Sequence, residues 1–505
     1  GAALGAVALL PLAELGSLSD RSGDMGWQFA SMLPYSWRDA LNFLVPYING
    51  DAADDSYVGA TVFWEVYGYV GLATVLLALW AVARGYRRPR VGLLVAMALL
   101  AFLMVLGVNT PVYRWVWEYV PGMGRFRLPT RFLVVVELAL ALLGGVGLTV
   151  LGTDLQRWLS ARAPRAANWL VMAVVAGTVA DLFIQQSHQN PFVSGTDWLT
   201  PPESVARLQR EGRPLRTYSP WHDQFHRLAR SAARGWQELW PYWGLRDSLA
   251  PNLGLYWGVP SADCYAGISP RWHVALWGDH MRPGLVSRLS RMGPGRLETA
   301  KSFVQVLSTF GVTHVLSPVE IEHPRLTATG DSGTARIYAV PGERARVVSA
   351  AKAVTSDEEA AAGLLSSLFE PSSVVLLDSP PADLPHLLPA GSTPPAPSRG
   401  TARIVTETTR SLSLEVTAPE GGFLFLADTW YPGWSASVDG RPATLFRANL
   451  SGRAVLLPAG ARQVQFHYAA TPFFRGLRVT LGALGALGLW VGAAAWSERR
   501  KRRSA

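Results

Sequence analysis

The sequence has one cysteine, Cys264, so no disulfide can form within a single chain. No Lys or Arg precedes Arg21, which removes the basic n-region that a secretory signal needs from the apolar opening "GAALGAVALLPLAEL". That opening also lacks Met and is short, and it is read as the second half of a membrane helix in the C-terminal part of a longer protein. Metal-ligand patterns are scarce. Asp51, Asp54 and Asp55 come without a His or further carboxylate at ligand spacing, so they read as an acidic solvated turn. "HDQFH" (His222 to His226) has the i, i+4 histidines of zinc hydrolases, but Asp223 stands where Glu is needed and no third ligand is apparent. No metal site and no cofactor are identified, with a divalent metal left open.

What the chain has is apolar runs, near 66–83, 91–107, 132–151, 169–184 and 476–496, each approaching the ~20 residues a helix needs to cross a bilayer. Between about 188 and 470 it looks like an aqueous protein. The net charge of +9 is concentrated in Arg84, Arg87, Arg88 and Arg90, in Arg157, Arg162 and Arg165, and in the tail "RRKRRSA". If helices alternate in direction these clusters share one side, which the positive-inside rule makes cytoplasmic. The charge is then topology rather than a nucleic-acid footprint.

The expected fold is a polytopic α-helical membrane protein with a large extracytoplasmic α/β region ending in a β-sandwich. The divisions are a bundle over 1–187, an α/β domain over 188–330, an α/β segment and Pro-rich linker over 331–400, and a sandwich over 401–470. A final helix over 471–497 and a basic cytoplasmic tail over 498–505 follow. Strand-like alternation such as "RSLSLEVTA" and "RQVQFHYAA" carries the sandwich, and Asp439-Gly440 marks a hairpin. The partners that this implies begin with the lipid bilayer.

Three features bear on function. "GMGRFRLPTRF" (122–132) puts Arg125, Arg127 and Arg131 at the outer mouth of an apolar helix. Pro129 suits a first helical turn, Gly122 and Gly124 let the chain bend, and free N–H groups beside guanidinium groups suit a phosphate; arginines meeting lipid headgroups are the plainer alternative. Glu137 and Asp181 are costly inside a membrane. Glu137 lies six residues after Arg131, ~9 Å deeper at 1.5 Å per residue, and Asp181 sits at a similar depth, either serving function or holding the bundle together. The tryptophans of 221–277 serve as sugar platforms or, more plainly, as core.

The segments "LGVNTPVYRWVWEYVPGMGRFRLPTRF" (106–132), "NLGLYWGVPSADCYAGISP" (252–270), "FGVTHVLSP" (310–318) and "DTWYPGWSASVDGRPATLFRANLSGRAVLLPAGARQVQFHYAATPFFRG" (428–476) resemble the YfhO family of bacterial membrane proteins. That resemblance covers the whole chain. It implies a GT-C-like glycosyltransferase of the bacterial cytoplasmic membrane, with a polyprenyl-phosphate sugar donor and a cell-envelope polymer as acceptor. Such enzymes carry their catalytic aspartate in the first outer loop, which this chain is expected to lack, so no catalytic residue is assigned. The rival reading is a non-catalytic envelope assembly or glycan-binding scaffold.

This topology has a direct test. A reporter fused after Ala505 should be cytoplasmic and one inserted near Ser392 exported; finding both on one side would overturn the orientation.

Overall fold

The computed structural model describes residues 1–505 except 24–25, 60, 86, 160–163, 213, 221–234, 280–281, 390 and 505. The chain forms two compact units, one of residues 23–198 and 227–241, the other of residues 1–22, 199–226 and 242–505.

The first unit is helical. Its longest apolar element runs from Pro129 through a 3₁₀ turn into the helix Leu133–Leu159, followed by Pro164–Gln186. The segments Pro129–Leu159 and Arg165–Gln186 are long and apolar enough to cross a membrane. The two expected spans upstream form the helices Leu72–Gly85 and Pro89–Val105, which are apolar but only 14 and 17 residues long. Small residues set how these helices pack. A Cβ on Gly147 would lie 1.9 Å from the Leu77 carbonyl oxygen, and one on Gly144 would lie 3.0 Å from Thr74 Cγ2. Backbones approach this closely only where no side chain intervenes, as is common between helices in lipid.

The second unit holds all the sheets among the described residues. Three strands from the expected sandwich do not close on 401–470 alone. Gly422–Leu426, Leu445–Ala448 and Gly452–Leu457 join strands from 345–388 in one seven-stranded sheet. Its order is Leu387–Leu388, Ala350–Val354, Val374–Asp378, Leu445–Ala448, Gly452–Leu457, Gly422–Leu426, Ala345–Val348. A five-stranded antiparallel sheet packs on it, in the order Thr401–Glu407, Ser411–Ala418, Ala461–Tyr468, Trp434–Val438, Arg441–Ala443. The last two strands turn through Asp439 and Gly440, at φ 48° and 79°, the two positive values a tight hairpin requires.

"GFLFL" explains the layering. Phe423 and Phe425 face a core that includes Phe303, Phe310 and Leu364, while Leu424 and Leu426 face Leu414, Val464 and Phe466 of the five-stranded sheet. All five residues are buried, so the strand is covered on both faces and its alternation is between two apolar types. The five-stranded sheet is covered on one face only. Its Ser411–Ala418 and Ala461–Tyr468 strands alternate between buried and more exposed residues.

The helix Thr471–Ser504 follows the last strand directly, and Thr471–Arg502 is the third segment long and apolar enough to cross a membrane. The helix Ala6–Leu18 lies against it: the Val7 N–H donates to Thr480 Oγ1 at 3.0 Å, and a Cβ on Gly476 would meet the Ala6 carbonyl oxygen at 2.2 Å.

Gly147→Leu should destabilise the helical unit by about 1–3 kcal/mol through overpacking. Gly145, with nothing within 4 Å of its would-be Cβ, should accept Ala without loss. Thermal unfolding of the two variants in detergent checks the difference.

Candidate functional site

At the mouth of the Pro129–Leu159 helix the chain turns twice. Gly122 adopts φ +87° and Leu128, just before Pro129, adopts φ +64°. Gly124 has no positive φ, so a buried leucine in the left-handed region makes the second bend, at the modest backbone cost of that conformation. Thr130 is buried, and its hydroxyl approaches Glu65 Oε2 at 3.5 Å. Arg131 Nη2 lies 3.5 Å from Glu65 Oε1. Glu65 thus supplies, from within the chain, the anion that an arginine in a first helical turn calls for. The Arg131 side chain is nevertheless 65% exposed, and among the described residues this one long contact leaves most of its five N–H donors open.

Arg127 engages a different partner, with Cζ 5.7 Å from the centre of the Phe29 ring. Arg125 closes the short 3₁₀ turn Met123–Arg125. Asp181 accepts a 2.7 Å hydrogen bond from the Tyr69 hydroxyl, joining Pro164–Gln186 to the residues just before Leu72–Gly85. Glu137 is half-buried and has no hydrogen bond or ion pair among the described residues. The two carboxylates are therefore not equivalent, since one is used in packing.

Of the aspartates expected in a solvated turn, Asp54 is an exposed turn carboxylate that accepts from the Ser56 N–H. Asp51 is buried rather than solvated: it accepts from the Ala53 N–H and from Gln189 Nε2, and contacts His188 Nε2 at 2.6 Å, a partner 137 positions away. No group of three metal-ligating side chains occurs among the described residues. The histidines of "HDQFH", and Trp221, lie outside the described residues. Of the other tryptophans of 236–277, Trp272 and Trp277 are buried as core, Trp236, Trp243 and Trp257 are half-buried, and Trp240 is exposed.

The densest electrostatic site lies in the other unit and centres on Asp428, which sequence patterning did not single out. Strand register builds it. Leu426 pairs with Ala345 on one side and with Arg453 on the other, so Asp428, two residues on, emerges between Arg344 and Arg453. Arg344 donates to both Asp428 oxygens at 2.8 Å and to both Glu407 oxygens at 2.7 Å. Arg216, entering the strand Thr217–Tyr218, adds a 3.4 Å contact to Asp428 Oδ1. Arg453 is buried, donates from Nε to the Thr429 carbonyl at 3.1 Å, and stacks 4.0 Å over Trp434. Its Nη1 has no hydrogen-bond partner among the described residues, and the indole face offsets part of that cost.

Burial opposes ionisation of Asp428, yet Arg344, Arg216 and Arg453 together hold its carboxyl below the usual carboxylate range. Burial pushes the Arg453 guanidinium down to about 10 despite the pull of Asp428. Nearby, burial lifts Asp263 to about 6 against the 2.6 Å hydrogen bond from Ser261 Oγ, and lowers His273 to about 4. His273 sits 3.5 Å from Cys264 Sγ and 3.4 Å from Thr429 Oγ1. A thiol pushed up by burial and by Asp263, beside a neutral imidazole, is not an activated nucleophile. The cluster fixes the 428–434 loop. Trp272 Nε1 pins the same loop by donating to the Trp430 carbonyl at 2.7 Å. A signal for it was present in "DTWYPGW", but its arginine partners lie 212 and 84 residues away.

Asp428→Asn should cost about 3–5 kcal/mol, the penalty for stranding buried charges. Asp428 stabilises the fold above its unfolded pKa of about 3.9, and that contribution is lost as pH falls through the lower folded value. Asp263 has the opposite sign: its folded pKa is raised, so stability falls as pH rises from about 4 to about 6. Asp263→Asn should therefore match wild type at pH 4 and exceed it above pH 6. Thermal unfolding from below about pH 3 to about pH 7 checks both; in the Asp263 comparison His273, common to both proteins, cancels in the difference. In comparisons with known proteins, no family model, no curated protein and no solved structure matches this chain.

Proposed function

We propose that this chain belongs to a multi-pass membrane protein of the YfhO type, a GT-C-like part of the cell envelope. In this reading it engages a polyprenyl-phosphate-linked sugar on the extracytoplasmic face of the bacterial cytoplasmic membrane. The carrying observation is the open guanidinium of Arg131 on the first turn of the most apolar of the three segments long enough to cross a membrane, with Arg127 close by in sequence. Two further features support it. Arg84 pairs with Asp154 at 3.0 Å and Arg157 lies 3.9 Å from the same carboxylate, so two of the basic clusters meet at one end of the helices. Large apolar side chains such as Leu489 and Trp490 stand exposed along Thr471–Ser504, a surface suited to lipid.

In this role Arg125, Arg127 and Arg131 bind the donor phosphate from above the bilayer, and the sheet-bearing unit meets the envelope polymer. The rival non-catalytic scaffold gains from one observation: Asp428 and Asp263 are committed to packing rather than facing a reactive group.

Charge-assisted hydrogen bonds contribute roughly 1.5–3 kcal/mol each. Arg131→Ala should therefore weaken polyprenyl-phosphate binding by about one to two decades, at about 1.4 kcal/mol per decade. Arg131→Lys should recover only part, because it keeps the charge and loses the fork. Glu65→Gln should tighten binding by removing the internal competitor. Affinities measured in detergent for these variants, with the same pair at Arg127, decide the matter. Full replacement by Lys would make the arginines headgroup anchors, and an unchanged series would remove the phosphate site.

A further inference from the structure

The five-stranded sheet has a solvent-facing outer face, where Arg403 pairs with Glu415 at 2.6 Å near one end. A groove of about 580 Å³ crosses it, within the range of small-ligand sites. Register shows how it is built. Thr406 pairs with Ser413, Ser413 with Gln465, Gln465 with Ser437 and Ser437 with Pro442, giving one row across all five strands. Ser411, His467 and Ser435 form a second row, two residues along.

None of the four serines has the β-branched or aromatic side chain that favours an exposed strand position. Their small size lowers the floor of the groove. The side chains of Thr406, Ser413, Ser437 and Gln465 make no hydrogen bonds among the described residues, although each can donate and accept.

We propose that this groove binds a neutral polyhydroxylated chain, a glycan segment lying across the sheet. The lining matches that chemistry and fits other partners poorly. It contains no Lys or Arg, which a nucleic acid or a polyanion would require. Serine is depleted at protein–protein interfaces, whose centres are aromatic and apolar. A polyol presents hydroxyls that both donate and accept, and a row of hydroxyls with a central amide answers them in kind. The second row ends near Tyr468, three residues before the apolar helix Thr471–Ser504 begins, so the groove opens close to the start of that helix. The site needs neither Arg127 nor Arg131 and goes beyond the phosphate reading.

The test uses the full chain in detergent, with linear neutral oligosaccharides of glucose, galactose and N-acetylglucosamine as probes. Binding is measured by titration calorimetry and by ligand-observed NMR. At least one probe should bind. Ser413→Tyr and Ser437→Tyr, which fill the groove from an exposed face, should each weaken it at least about tenfold. Gln465→Ala should weaken it roughly three- to tenfold, the worth of one or two neutral hydrogen bonds. Arg131→Ala should leave it unchanged, which separates this site from the phosphate site. The proposal is overturned if no neutral probe binds at millimolar concentration, if only anionic oligosaccharides bind, or if binding survives both tyrosine variants in protein with wild-type thermal stability.

Discussion

The strand Gly422–Leu426 is the element on which the sheet-bearing unit depends. It hydrogen-bonds to a neighbour on each side and buries both faces, phenylalanines toward the helices and leucines toward the second sheet. A strand so enclosed has its register fixed, because a slip by one residue would exchange the two side-chain types between differently shaped cores. That constraint places Asp428 between Arg344 and Arg453.

The arginine–carboxylate cluster follows from that placement rather than causing it. Taking several charges out of water is expensive, and their mutual attraction offsets the cost only where geometry is good. Here Arg344 bridges two carboxylates with four short bonds, Arg216 and Arg453 flank Asp428, and Trp434 covers Arg453. The result is a loop that closes in one way. A similar knot holds the helix Asp357–Leu365, where Arg447 contacts Asp357 and Asp378 at 2.6 and 2.8 Å.

The helical unit is organised by the absence of side chains as much as by their presence. Gly144 and Gly147 bring Leu133–Leu159 against Leu72–Gly85 at backbone distance. This sets the level at which Arg84 meets Asp154 at one end. At the other end, the burial of Thr130 under Glu65 draws Arg131 toward a carboxylate and still leaves it open outward.

Much of this was legible in the sequence. Apolar runs marked the helices, period-two alternation marked the half-buried strands, and Asp439-Gly440 marked its hairpin, because each signal is local and its period is set by backbone geometry. The upstream run at 66–83 came out as the shorter helix Leu72–Gly85, and the run at 91–107 as a helix shifted two residues earlier, Pro89–Val105, since hydropathy does not report where a helix starts. Residues 401–470 read as a closed sandwich because strand pairing across the 345–388 segment leaves no trace in period. The same limit hid Asp428, whose partners are joined to it only by register, and Glu65, which reaches Arg131 across 66 positions of sequence. The sequence determined which segments are helix, strand and turn, and which faces are apolar. Tertiary structure alone decided which charges meet, because contacts between distant segments depend on register and packing, and neither is encoded in local pattern.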